Sequence, residues 1–307
     1  MIIFGGVDGT GVWNDPEYKQ TFRYSFVKTL WRNWSYGPRH YERGPVTIDN
    51  ALHHSTFASA YATYLHVTSN WVVGESAVFL AGYSRGAAAV IEVAKWLESA
   101  YIPVECLILY DPVDRTGGVG LPWQDTPIAS TVKTVIFAKR SVWSSSRENT
   151  MGNCGLIMWN GEPTPYKIFP GTTHGGMGGV PWPKPPDKQW GDFIDEGGID
   201  GLTHVSYAQD RIGSAEVQQW SFDLIENALS ECKERLSKAD GPAKQPRTNP
   251  VTPGQRIHIV KEGDWLSKLA ITYYGDMNKW PIIYDHNRET IGNKPDVLTP
   301  GQKLIIP

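Results

Sequence analysis

The most constraining feature of the chain is an apolar run at residues 77–81 that ends in Gly82-Tyr83-Ser84-Arg85-Gly86 and passes directly into a small-residue helical pattern over 87–96. An apolar run without polar alternation predicts a strand covered on both faces, the central position of a parallel sheet. A helix that follows without a loop predicts a very tight turn. Glycines 82 and 86 then occupy positions where any side chain would collide with the crossing strand and helix. The G-x-S-x-G spacing puts Ser84 at the apex, in a strained conformation with its hydroxyl out over the sheet edge. The competing reading is an ordinary β-turn-α connection with a serine at the helix start.

A serine hydroxyl becomes a nucleophile only beside a base that is itself oriented by a third group. Residues 104–110 form a second apolar run, and Asp111-Pro112-Val113-Asp114 follows at once. Site residues of an open α/β sheet gather just past the carboxyl ends of its strands. Asp111 follows Ser84 by 27 residues, room for one helix and one strand. It is the candidate acid, held by the turn that Pro112 fixes, with Asp114 in reserve; a simple capping role is the alternative. A strand is predicted over 132–139, a polar loop over 141–153, and a short last strand over 166–170. That strand opens into a glycine-rich loop containing His174. A histidine there has no packing role and suits a mobile imidazole that moves a proton. His204 is the fallback. Metal binding competes, but no second His or Cys lies near in sequence. The order Ser84, Asp111, His174 is that of the α/β-hydrolase triad, whose chemistry requires no metal or cofactor.

Near the start, residues 2–4 predict a strand, and four glycines fall among residues 5–11. That density predicts a loop with approachable backbone N–H groups. An N–H near Val7 or Asp8, with that of Arg85, is the expected oxyanion donor pair. A phosphate-binding loop is the other possibility, but neither G-x-G-x-x-G nor a P-loop lysine is present.

The remaining segments are less specific. A net charge of −3 over 307 residues makes no electrostatic case for nucleic acid. Cys106, Cys154 and Cys232 are too scattered for a disulfide framework or a metal site. The N-terminus lacks the basic start and apolar run of a signal peptide, and no stretch has transmembrane length. The expectation is a protein made in the cytoplasm that reaches any external site by another route. Residues 15–41, rich in aromatics, predict a helix and a loop over the site. A helix over 47–68 carries His53 and His54, which as neighbours point to different helix faces and make poor joint metal ligands. Residues 181–201, with Asp192, Asp195, Glu196 and Asp200, read as a flap or solvated loop without EF-hand spacing. An amphipathic helix is predicted over 215–238. Its buried stripe would be Val217, Trp220, Leu224, Ile225, Ala228, Cys232 and Leu236, with Phe222 and Leu229 at the edge. The organisation is then a first domain at 1–238, a proline-rich linker at 239–255, and a small module at 256–307.

The module predicts strand, helix, helix, strand, with Asp264 capping the first helix. It resembles the LysM family in His258-Ile259-Val260-Lys261-Glu262-Gly263-Asp264, Tyr274-Gly275-Asp276, Ile283-Tyr284-Asp285-His286-Asn287 and the closing Pro300-Gly301-Gln302-Lys303-Leu304-Ile305-Ile306-Pro307. The resemblance implies binding of N-acetylglucosamine-containing glycans such as peptidoglycan. The groove would be formed by Gly263, Asp264, Trp265 and Leu266 with Asp296, Val297, Leu298 and Thr299. Trp265 stands where the family usually has threonine. The longer loop at 289–296 is similar to that of phage-tail and small stress proteins, some of which use the module for assembly.

Asp8-Gly9-Thr10, the Gly82–Gly86 elbow followed by Ala87, Asp111, and His174 followed by glycines are similar to a bacterial α/β-hydrolase family that includes type VI secretion lipase effectors. Asp111-Pro112-Val113-Asp114 also resembles chlorophyllase-type esterases. The resemblance implies an α/β-hydrolase-like, mostly parallel sheet with helices on both faces, beside the βααβ LysM module. It further implies phospholipase or esterase action on a lipid or ester substrate, delivery into a rival periplasm by a contractile apparatus, and partners in that apparatus or in an immunity protein. An esterase acting on acylated peptidoglycan, and a non-catalytic wall-binding or phage-tail assembly protein, are the alternatives.

Overall fold

The apolar runs become neighbouring strands of one sheet. The computed structural model describes residues 1–46, 55–113, 127–184, 191–239, 256–261, 264–274, 279–292 and 298–306. Contacts divide the chain into two units, Met1–Gly241 and Pro242–Pro307. The first begins with β1 (Ile2–Val7), α1 (Asp15–Thr21), α2 (Phe26–Asn33), β2 (Arg39–Glu42) and α3 (Thr56–Asn70). The elbow joins β3 (Ala77–Tyr83) to α4 (Arg85–Ser99), and β4 (Val104–Tyr110), β5 (Val132–Arg140) and β6 (Lys167–Phe169) follow. The unit ends with α5 (His174–Met177), a hairpin of β7 (Phe193–Asp195) and β8 (Leu202–Ser206), and α6 (Tyr207–Ala239).

The strand order is β2-β1-β3-β4-β5-β6, and every pairing is parallel. Helices cover both faces. Phe4, Phe79, Ala81, Cys106 and Ile108 pack with Phe26 and Val27 of α2 and with Val217 and Ile225 of α6. On the other face α3 and α4 lie against β1, β3 and β4. The strand order reverses between β1 and β3, so the carboxyl ends of these two strands flank the crevice where sheets of this kind place their sites.

Several expectations change. Gly5 and Gly6 belong to β1 rather than to a loop, so the loop starts at Asp8. They are needed because the helices press close: a Cβ on Gly5 would lie 2.6 Å from Thr63 Cγ2 of α3, and one on Gly6 2.9 Å from Val27 Cγ1 of α2. Residues 15–41 supply two helices and reach into the edge strand β2, and α2 is core rather than cover. Residues 47–54, with His53 and His54, lie outside the described residues, and α3 starts at Thr56. The last helix begins at Tyr207. Its buried face is rotated, with Leu229 buried at 5% exposure and Leu224 out at 37%. The 181–201 stretch contains β7; Asp192 and Asp195 are exposed as expected, but Glu196 and Asp200 turn their carboxylates inward. No helix of the described residues is long and apolar enough to cross a membrane.

In the second unit, β9 (Arg256–Ile259) pairs antiparallel with β10 (Lys303–Ile306) around α7 (Leu266–Tyr274), α8 (Trp280–His286) and the short α9 (Arg288–Ile291). Val260, Leu266, Leu269, Ile283, Leu304 and Ile306 form its core. Buried Asn287 binds the α8 helix end to β10: its Nδ2 donates to the carbonyls of Ile283 and Ile305, and its Oδ1 accepts the Ile305 N–H, each at 2.7 Å. Asp264 closes a turn rather than capping α7, accepting the Lys261 N–H at 2.9 Å.

Candidate active site

The elbow fixes Ser84 first. Its backbone sits at φ 56°, ψ −128°, a conformation that costs a non-glycine residue about 1–3 kcal/mol and survives only where the surroundings enforce it. Here they do: the Ser84 N–H donates to the Tyr110 carbonyl of β4 at 3.0 Å, and the Ser84 carbonyl accepts from Ala87 at 3.0 Å and from Val113 at 3.2 Å. A Cβ on Gly82 would meet Ala87 Cα at 2.4 Å, and one on Gly86 would meet the carbonyl oxygens of Asp8 and Val7 at 2.3 Å. Although Ser84 stands at the helix N-terminus, its hydroxyl makes no capping bond. It lies instead 2.9 Å from His174 Nε2.

His174 opens α5 and is 5% exposed, so it is a buried, held ring and not a mobile loop residue. Thr173 caps that helix by accepting the Gly176 N–H. The His174 N–H donates to Ser146 Oγ at 2.7 Å, and the Tyr83 hydroxyl donates to the His174 carbonyl at 3.0 Å. On the far side of the ring, Nδ1 lies 2.6 Å from Asp111 Oδ2. Asp111 immediately follows β4, is fully buried, and has φ 44°. The structure therefore brings Ser84, His174 and Asp111 into one hydrogen-bonded chain. Asp114 lies outside the described residues. His204, on β8, has its Nδ1 3.1 Å from the Trp143 carbonyl and takes no part in the chain.

Four groups around this chain escaped sequence reasoning. Arg140, the last residue of β5 and 6% exposed, donates from Nη1 to Asp111 Oδ2 and from its backbone N–H to Oδ1. Burial alone would raise the Asp111 carboxyl; Arg140 and His174 beside it hold it down at about 2. Burial also pushes His174 below the ordinary imidazole value, against the upward pull of Asp111. Glu196 accepts Ser146 Oγ at 2.8 Å and the Arg147 N–H at 2.7 Å, and Asp200 accepts the Asn149 N–H at 3.0 Å. These two carboxylates, expected in solvent, pin the 146–150 stretch beneath His174. Asp210 of α6 takes the Thr173 N–H at 2.7 Å and the Trp182 N–H at 2.8 Å, fixing the segment on either side of α5. No sequence signal marks these four, because each partner pair is far apart in the chain.

The expected oxyanion loop needs correction. Asp8 donates its N–H to the Glu42 carbonyl at 3.1 Å, and Val7 lies inside β1, paired with Glu42 and Gly82, so neither N–H faces the cleft. The Asp8 carboxylate is fully buried and accepts from the hydroxyls of Ser25 and Tyr41 and from the Gly9 N–H. Burial raises its pKa to about 6 despite those donors. Tyr18 Oη donates to the Gly9 carbonyl at 2.8 Å, and Arg85 Nε donates to Thr10 Oγ1 at 2.6 Å. The loop is thereby clamped on both sides of the Gly9–Thr10 peptide. Thr10 lines a cleft of about 290 Å³ together with Ser84 and His174, and much of the remaining wall is apolar, including Val12, Phe22, Met151, Val180 and Trp182.

In the second unit Trp265 is 55% exposed, whereas Leu266 is buried in the core. Asp264 accepts from His258 Nε2 at 2.8 Å. Leu298 packs against the core, partly buried, and the Thr299 N–H donates to Gln302 Oε1 at 2.8 Å. Gly263, Asp296 and Val297 lie outside the described residues.

No family model matches the chain. A stretch of 54 residues, 18% of the chain, is 48% identical to an uncharacterized protein of Deinococcus radiodurans and spans 20% of that protein. Among solved structures, an uncharacterized protein from Pseudomonas aeruginosa aligns over 58% of this chain and 42% of its own, at 14% identity and a TM-score of 0.38. A Tle1 effector bound to the VgrG spike of the type 6 secretion system aligns over 60% of this chain and 51% of its own, at 12% identity and a TM-score of 0.40. The chain thus spans a fifth of the Deinococcus relative and about half of each solved chain.

Proposed function

We propose that the first unit is a serine hydrolase that cleaves carboxylic esters through an acyl-enzyme. The observation that carries this reading is the continuous chain from Ser84 Oγ through His174 to Asp111, at 2.9 and 2.6 Å, on a strained elbow. In the proposed reaction Ser84 Oγ attacks the ester carbonyl carbon while His174 Nε2 takes its proton. The imidazolium is held by Asp111 at Nδ1 and returns the proton to the leaving alkoxide as the carbon–oxygen bond breaks. Water, deprotonated by the same nitrogen, then releases the acid and restores Ser84. The N–H groups of Arg85 and Thr10 are the proposed oxyanion donors; losing one such donor raises a barrier of this kind by about 2.7–4 kcal/mol. The apolar wall of the cleft favours an ester with a hydrocarbon acyl chain, a lipid or phospholipid.

The second unit is proposed to be a LysM module that holds peptidoglycan glycan, with exposed Trp265 as its stacking surface. Such a tether raises the effective concentration of the hydrolase at a wall and its adjacent membrane. Peptidoglycan lies outside the cytoplasm, which fits a role as an antibacterial effector carried by a contractile secretion apparatus, with an immunity protein as its natural antagonist.

Intact mass after fluorophosphonate treatment tests the centre of the proposal. The expected result is one adduct on the wild type and none on Ser84→Ala, followed by release of fatty acid from phospholipid vesicles. Absence of an adduct on folded wild type, with and without detergent, would refute the hydrolase reading. Release of acetate from acetylated wall with phospholipid untouched would move the substrate to peptidoglycan esters. Sedimentation with purified peptidoglycan, lost in Trp265→Ala, tests the second unit.

A further inference from the structure

The site holds a charge that the ester reaction does not call for. A serine–histidine–carboxylate chain needs one anion beside the imidazole to support its charged form. Here a buried cation stands at the same place. Arg140 Nη1 donates to Asp111 Oδ2, the oxygen that also faces His174, and lies 3.4 Å from His174 Nδ1. Its backbone N–H takes the other oxygen, Oδ1, at 3.3 Å, and Nη2 donates to the Met151 carbonyl at 3.2 Å. Both carboxylate oxygens are therefore occupied from β5, and the guanidinium is held by two acceptors, the Asp111 carboxylate and the Met151 carbonyl.

We infer that Arg140 is a positioning residue with two effects: it locks the Asp111 carboxylate in its angle to His174, and it biases His174 toward its neutral form, so that the site stays competent in acid surroundings. The inference rests on the hydrolase reading and deepens it by assigning its pH range. The groups that face His174 from each packed element are few. Ser84 comes from the elbow and Asp111 from the end of β4. The Tyr83 ring of β3 lies 5.2 Å away, and Ser146 and Glu196 stand behind the backbone. Arg147 lines the same cleft but is paired with Glu196 and Asp200. Asp111 and Glu196 pull the imidazole toward its charged form, while burial and Arg140 push the other way, and burial is the largest influence.

The chemical consequence is specific. With a cation 3.4 Å from Nδ1, the imidazolium formed when Nε2 takes the Ser84 proton is less stable. His174 is then a weaker base toward Ser84 and a stronger acid toward the leaving alkoxide. Locking Asp111 compensates for the first effect by removing the cost of orienting the pair during the reaction.

The experiment is the rate of Ser84 labelling by a fluorophosphonate between pH 4 and 9, read by intact mass on the full chain, for wild type, Arg140→Lys and Arg140→Met. The wild type is expected to reach half its maximal rate below pH 6.5. In Arg140→Met the acid limb moves to higher pH, so the ratio of rates at pH 5 and pH 8 falls about tenfold. Arg140→Lys keeps the charge but not the fork. It is expected to keep the wild-type limb and lose rate at every pH. An unmoved limb in folded Arg140→Met overturns the inference and leaves the hydrolase reading standing. If Arg140→Met does not fold, the wild-type curve decides: a midpoint at or above pH 6.5 overturns it. Wild type that is not labelled at any pH removes the hydrolase reading and this inference together.

Discussion

Replacing Asp210 tests whether the site is held from α6. Its Oδ1 accepts the Thr173 N–H at 2.7 Å and the hydroxyls of Thr172 and Thr173 at 2.9 Å, while Oδ2 accepts the Trp182 N–H at 2.8 Å. Asp210 and Thr173 are fully buried, so the Thr173 N–H has no ready substitute in water, while the Trp182 N–H is partly buried. In Asp210→Ala the two hydroxyls can turn to backbone carbonyls, but the Thr173 and Trp182 N–H groups cannot. Each buried donor left unpaired costs about 1–3 kcal/mol, for a total of about 2–6 kcal/mol. Water entering the vacated space brings the loss toward the lower bound. Asp210→Asn keeps the Oδ1 contacts and sets an amide NH2 against the Trp182 N–H, which costs about 1–3 kcal/mol. The assay is urea unfolding followed by tryptophan fluorescence, with fluorophosphonate labelling on the same samples. At a slope of about 3 kcal/mol/M, even the smallest loss for Asp210→Ala lowers the midpoint by about 0.7 M. Labelling should slow in both variants, because Thr173 caps the helix that His174 opens. A midpoint for Asp210→Ala within about 0.2 M of wild type would refute the reasoning, since by that slope the unpaired donors would have cost under about 0.6 kcal/mol.

Three further outcomes follow from the same geometry. Gly86→Ala places a methyl 2.3 Å from the Asp8 and Val7 carbonyl oxygens, a backbone overlap that must open the elbow; loss of more than about 3 kcal/mol and of Ser84 labelling is expected, by calorimetry and mass. The Asp8 carboxyl has its pKa raised by burial to about 6 in the fold, against an ordinary value near 3.8, so its contribution to stability is full below 3.8 and is lost as pH rises through 6. Asp8→Asn should therefore flatten the stability curve between about pH 4 and 6 relative to wild type, a difference measurable by urea midpoints across that range. The opposite sign holds for Asp111, held at about 2: its stabilisation is present above 3.8, worth about 2 kcal/mol, and is lost as pH falls toward 2. Asp111→Asn should remove that acid-limb slope in the same titration and lower the rate of ester turnover by about 10⁴-fold.

The sequence by itself determined what is local. The strand, the turn and the helix around Ser84 are contiguous, so apolar run, glycine spacing and small residues sufficed to place the hydroxyl at a sheet edge. Asp111 was legible because it stands directly after a strand, and His174 because it lies in the glycine-rich segment that follows the last strand; strand ends of a parallel sheet converge on one edge. The tertiary structure decided everything that depends on which elements become neighbours. Gly5 and Gly6 read as loop residues because composition cannot express that helices on both faces leave no space for a Cβ. Glu196 and Asp200 read as solvated because their partners, residues 146–150, lie about 50 positions earlier in the chain. Arg140 ends its strand as an apparent surface cation and becomes a buried member of the site only through the parallel register of β4 with β5. Periodicity reports the burial of one element against an unspecified partner. The identity of that partner is fixed by sheet order and register, which arise from the whole core packing at once.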